Sequence, residues 1–261
     1  QYSRSFGIDG DTSNAINIPE LATTLEQSFP SGNLEFTLFD ACMMGTAEVF
    51  YELRNATHYC VASVMEPPIA GFPYDRFFIN LYEDVIDYAK ICSETAQFNK
   101  ENNWWGTYAA VDCTAMGEVA QAIQAELLSH QSELQTLDYT QVQQYGYGEY
   151  RYFSFDVVDF ISQLNGGVVS ANVQSSINKA VIAKDCLDGE EYPLGTLKIA
   201  PVWVCISPAE ISVIRGTDTV SHLSHGITLP GGIKYNPNRF ISSVLQSIEA
   251  SSKAGYVRIV P

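Results

Sequence analysis

The chain has 261 residues, 14 Lys+Arg against 30 Asp+Glu, a formal charge of −16, and 46% hydrophobic against 17% charged residues. This composition excludes a disordered chain, and the acid excess excludes a surface built to grip nucleic-acid phosphates and disfavours docking on anionic lipid. No apolar run reaches the roughly 18–20 residues of a membrane-spanning helix, so no membrane span is expected. The length suits one large core or two smaller ones.

In chain order, Gln1-Tyr2-Ser3-Arg4-Ser5-Phe6 has neither an apolar signal segment nor an initiator Met, and reads as the start of a mature or cleaved product. Asp9, Asp11 and Asn14 carry oxygens that suit Ca²⁺. Their spacing lacks the terminal Glu of an EF-hand loop, so the stretch reads as a hydrated turn and the sequence requires no cofactor. Asn17-Ile18-Pro19 opens a helix with Leu21, Leu25 and Phe29 along one side, ended by Pro30-Ser31-Gly32-Asn33. Leu34, Phe36 and Leu38 alternate as a strand running into Phe39-Asp40-Ala41-Cys42-Met43-Met44-Gly45, and a helix follows at once from about Thr46 through Leu53. Tyr59 to Val64 is a strand apolar enough to be buried on both faces. Glu66-Pro67-Pro68-Ile69-Ala70-Gly71-Phe72-Pro73 is a loop.

Helical pattern resumes from Asp75 through Phe77, Phe78, Leu81, Val85 and Tyr88; Thr107 to Asp112 is a strand, and Met116, Val119, Ala120, Ile123 and Leu127 form one helical stripe. These strand–helix repeats predict an α/β portion over 1–135 with a largely parallel sheet. The texture then changes. Gln141 to Tyr152, with Tyr145, Tyr147, Tyr150 and Tyr152, reads as a loop and a domain boundary before a mixed, mainly helical region over 136–261. That region carries helices around 155–164 and 170–184, strands around 197–205 and 212–215, and a last helix through Phe240, Val244, Leu245 and Ile248.

Cys42, Cys60, Cys92, Cys113, Cys186 and Cys205 include no CxxC pair and have no histidine at ligand spacing, so no metal site is expected. Most lie in apolar strand- or helix-like runs and read as buried thiols. Cys42 differs, because a strand ending in Asp-Ala-Cys before a helix exposes the thiol at the carboxyl edge of the sheet, where open α/β sheets place their sites. A neighbouring helix amino terminus favours thiolate. A thiolate nucleophile also needs a general acid–base to protonate the leaving group. Residue pattern alone leaves a reactive and a structural Cys42 both open.

Phe39-Asp40-Ala41-Cys42-Met43-Met44-Gly45, with Ala47-Glu48-Val49 and Tyr51-Glu52-Leu53, resembles the nucleophile segment of clostripain-like cysteine peptidases, relatives of caspases, legumains and gingipains. Val61-Ala62-Ser63, Glu66-Pro67, Gly71-Phe72-Pro73-Tyr74, Phe155 to Ile161 and Lys179-Ala180-Val181-Ile182 are similar to later parts of that family. The resemblance implies a caspase-like three-layer α/β/α fold and a cysteine endopeptidase with Cys42 as nucleophile and its N–H in the oxyanion hole. It implies that Asp40 is a buried S1 carboxylate selecting peptide or protein substrates with Arg or Lys at P1. Glu66 and Asp75 lie on the loop expected to wall the same pocket. Asp40 also reads as a plain strand-end or helix-capping residue.

The family's general base is a histidine in a His-Gly motif before the nucleophile, yet no histidine precedes Cys42; His58, His130, His222 and His225 all follow it. Ser224-His225-Gly226 mimics the motif on the wrong side of the cysteine. Because the family is matured by cleavage between these segments, the resemblance implies a light chain from the same precursor that carries the histidine. It also implies a secreted, cell-surface or periplasmic bacterial protein. The rival readings are a catalytically inactive caspase-like binding or scaffold module, and a glycan-binding surface on the Tyr-rich loop.

Overall fold

A computed structural model of the protein describes residues 5–8, 15–29, 34–64, 67–102, 104, 106–138, 141–145, 154–186 and 212–214. β1 (Ser5–Ile8) and β2 (Ala15–Asn17) pair antiparallel ahead of α1 (Ile18–Ser28). The start of α1 is set by a reciprocal capping box. Glu20 N–H donates to Asn17 Oδ1 at 2.9 Å, Asn17 N–H donates to Glu20 Oε2 at 3.1 Å, and Pro19 occupies the first turn, where its missing N–H costs nothing.

β3 (Leu34–Leu38) leads through the cysteine turn to α2 (Ala47–Glu52), and a 3₁₀ turn (Leu53–Asn55) leads on to β4 (Thr57–Ser63). After α3 (Tyr74–Phe77) and α4 (Tyr88–Glu101) come β5 (Thr107–Asp112), α5 (Met116–Ser129) and α6 (Gln131–Thr136). The last described elements are β6 (Gln144–Tyr145), β7 (Ser154–Asp156), α7 (Val157–Leu164), α8 (Ala171–Ala180), β8 (Val181–Cys186) and β9 (Ser212–Ile214).

β3, β4, β5 and β8 form one sheet in that order, and β6, β7 and β9 a second. Side-chain alternation makes the first sheet the middle of three layers. Cys60 and Ala62 of β4 and Ala109 and Val111 of β5 enter a core shared with α1, α2, α5, α7 and α8. Val61, Tyr108 and Ala110 enter a second cluster with Phe72, Phe77, Ile91 and Cys92 on the α3 and α4 side.

The α/β architecture is the expected one, and four details differ. The sheet is mixed: β3 and β4 are parallel, but β4 pairs antiparallel with β5 and β5 with β8. A strand buried on both faces reads the same whichever way its neighbour runs, so the apolar runs carried no direction. The helix expected through 170–184 stops at Ala180, and the β-branched Val181 and Ile182 begin β8. The Gln141–Tyr152 stretch, read as a loop, contains β6. Val142, Phe155 and the buried faces of α7 and α8 pack in the core of α2 and α5, and β8 completes the first sheet. The expected strand at 197–205 and the last helix lie outside the described residues.

The fourth difference is a broken helix. Instead of one run from Asp75 there is α3, a 3₁₀ turn (Phe78–Tyr82), a break, and then α4. Buried Asn80 makes the break: its Nδ2 donates to Asp87 O at 2.9 Å and its Oδ1 accepts from Asp87 N–H at 3.0 Å. Asp87 then caps α4 by accepting from Lys90 N–H at 3.0 Å. Replacing Asn80 with Ala strands the Asp87 N–H and leaves Asp87 O only its helical bond from Ile91 N–H at 3.4 Å, and we expect a loss of about 1–3 kcal/mol in urea unfolding, against less than about 0.5 kcal/mol for the exposed Tyr82→Ser.

Candidate active site

Because β3 and β4 are parallel, their carboxyl ends share one edge of the sheet, and the segment after β3 is fastened there twice. Phe39 N–H donates to Val61 O at 2.9 Å and Gly45 N–H donates to Ser63 O at 2.7 Å. Asp40 to Met44 must therefore bow outward as a turn. Phe39 and Met44 are buried at its two ends, and Cys42 is exposed between them. Met43 closes the turn at φ +58°, a left-handed conformation that costs a non-glycine residue on the order of 1 kcal/mol or more. Gly45 is required by space, since a Cβ there would lie 2.6 Å from Val64 N. α2 begins where expected, at about Thr46: this residue caps it, its Oγ1 accepting from Val49 N–H at 3.3 Å, and Met43 to Gly45 separate the helix from the cysteine.

Cys60, Cys92 and Cys113 are buried, as their apolar surroundings predicted. Burial pushes the Cys92 thiol up to about 12, and burial together with contact with Cys113 pushes Cys60 well above its ordinary value. Neither supplies thiolate at neutral pH.

Asp40, expected as a buried carboxylate, is instead an exposed residue, and its carboxylate is held by the next loop. Tyr74 Oη donates to Asp40 Oδ2 at 3.0 Å and Phe72 N–H donates to the same oxygen at 3.4 Å. Gly71 N–H closes a turn onto Pro68 O at 2.9 Å, and Gly71 itself, at φ +69°, lies against the carboxylate. Pro73, at φ −79° and ψ 72°, forms an inverse γ-turn with Tyr74 N–H donating to Phe72 O at 2.9 Å, which turns the phenol back toward Asp40. Burial, the hydrogen bond to Asp40 and its charge push the Tyr74 phenol up to about 12, so it remains a proton donor throughout the neutral range.

Asp75 is exposed in the first turn of α3, one residue beyond this contact. Glu66, Asp9, Asp11, Asn14, Tyr147, Tyr150, Tyr152, His222 and His225 lie outside the described residues. His58 sits near the amino end of β4, at the sheet edge opposite Cys42, with Nδ1 3.1 Å from Glu35 Oε2. His130 ends α5, its Nδ1 3.0 Å from both Ser129 Oγ and Glu126 O. Sequence reasoning missed Gly71, Phe72 and Tyr74 as partners of Asp40; the Gly-Phe-Pro-Tyr run was the available signal, but nothing local says where it folds back.

An exposed cysteine on a double-fastened turn at the carboxyl edge of an α/β/α sheet is a candidate nucleophile. The sequence profile described as the clostripain family matches residues 1–190, and the chain belongs to that family. No curated protein sequence matches the chain. Among solved structures it is similar to a clostripain from Bacteroides thetaiotaomicron in complex with a peptide inhibitor, with 21% identity, a TM-score of 0.63, and coverage of 80% of this chain and 89% of that one. A B. fragilis cysteine protease matches with 17% identity and a TM-score of 0.59 over 81% of this chain and 88% of that one. An inactive zymogen of a C11 protease from Parabacteroides distasonis matches with 24% identity and a TM-score of 0.61, over 81% of this chain and 61% of that one.

Two outcomes check the turn. In the native protein a thiol alkylator should label Cys42 at least about 100-fold faster than Cys60, Cys92 or Cys113, read by peptide mass spectrometry. Gly45→Ala should push the turn away from Val64 and cost about 1–3 kcal/mol in thermal or urea unfolding.

Proposed function

We propose that the protein is a cysteine endopeptidase in which Cys42 is the nucleophile and Asp40 recognises a basic P1 side chain. Cys42 Sγ attacks the scissile carbonyl, the C–N bond breaks as the amine leaves with a proton from an imidazole, and water hydrolyses the thioester. The imidazole comes from a light chain of the same precursor, and the Cys42 N–H stabilises the oxyanion. Asp75 and Glu66 supplement the negative field of the S1 pocket, which suits cationic side chains. Export to the bacterial surface or periplasm is part of the same reading, supported by membership of a family in which one similar structure is of a secreted protease.

The observation that carries this reading is the exposure of Cys42 on a turn that the sheet itself fastens, while Cys60, Cys92 and Cys113 are sealed. Cys42→Ala should lower hydrolysis of Lys and Arg peptides at least about a thousandfold while leaving the unfolding midpoint nearly unchanged. Intact-mass analysis of the active preparation should reveal a second, histidine-bearing chain.

The engagement of His58 with Glu35, at the sheet edge opposite Cys42, favours a second reading, a catalytically inactive binding or scaffold module. Purified protein that hydrolyses no basic peptide and carries no second chain would establish that alternative.

A further inference from the structure

We propose that Tyr74 is a specificity-setting positioning residue that makes the Asp40 carboxylate a single-oxygen acceptor, so that the site takes a Lys ammonium in preference to an Arg guanidinium. This rests on Asp40 being the P1-recognition group. A carboxylate oxygen offers two lone pairs. Oδ2 of Asp40 has both committed, one to the Tyr74 hydroxyl at 3.0 Å and one to the Phe72 N–H at 3.4 Å. Oδ1 is the oxygen left to a ligand.

The phenol is itself held in place. Its ring packs against Phe77 at 5.7 Å and Phe72 at 6.4 Å between centroids, and Phe72 packs in turn on buried Tyr108 at 5.1 Å. The backbone side is closed by Gly71, where a Cβ would lie 2.8 Å from Oδ1 and closer still to Oδ2, so the carboxylate rests against main chain. It is therefore hindered from rotating to offer both oxygens together.

Arginine and lysine make different demands on such a group. A guanidinium gains most from a fork–fork contact that uses both carboxylate oxygens, whereas an ammonium is a point charge satisfied by one oxygen and water. Committing Oδ2 in advance removes the second prong available to arginine and leaves lysine's contact intact. The Tyr74 hydroxyl keeps its proton well above neutral pH, so the commitment does not lapse under working conditions.

The test compares two fluorogenic peptides that differ only in Lys or Arg at P1, using the full-length protein with any chain that co-purifies with it. The wild type should favour Lys in kcat/KM. Tyr74→Phe should raise the Arg-to-Lys ratio about tenfold, through a lower KM for the Arg peptide with kcat little changed. A merely structural role would lower both substrates alike. Wild-type preference for Arg, or an unchanged ratio in Tyr74→Phe, overturns the inference while leaving the peptidase reading in place; the wild-type ratio decides alone should the variant not fold. Asp40→Asn should abolish the preference for basic over neutral P1. Retention of that preference overturns the role of Asp40 and this inference together, as does failure of the wild type to cleave either peptide.

Discussion

The pairing of β3 with β4 is the constraint from which the site follows. Parallel alignment puts the ends of the two strands side by side, and the ladder continues past β3 through Phe39 N–H to Val61 O, then resumes at Gly45 N–H to Ser63 O. The chain between those bonds has no partner strand to lie on and must leave the sheet. Burial of Phe39 and Met44 at its two ends opposes any slide of the turn, and a slide of one residue would carry Cys42 toward the core. The left-handed Met43 is tolerated because both ends of the turn are fixed more firmly than that one residue is strained.

The second loop of the site is positioned by different means. Residues 68–74 fold back through a turn closed at Gly71, an inverse γ-turn at Pro73 and an aromatic stack of Phe72 on Tyr108 and Phe77, which belongs to the smaller of the two cores. The larger core, on the other face of the sheet, supports α2 and the return of the chain into β4. The candidate nucleophile and the carboxylate two residues before it are thus adjacent in sequence but depend on opposite faces of the sheet. A substitution in one core can therefore disturb recognition while sparing the thiol, or the reverse.

The amino-acid sequence by itself determined the elements whose information is local. Asn17, Pro19 and Glu20 place the start of α1; alternation in 34–38 and the apolar run of 59–64 mark two strands; the stripe from Met116 to Leu127 marks α5. The apolar settings of Cys60, Cys92 and Cys113 against that of Cys42 were legible for the same reason, since periodicity reports burial. Strand direction, the break at Asn80 and the end of α8 at Ala180 were decided only by tertiary structure, because each turns on which neighbour a strand meets or on one side chain bonding a backbone seven residues away. The clamp on Asp40 belongs to the same class: Tyr74 lies far along the chain, and only the closure of its loop over the end of β3 brings a phenol to that carboxylate.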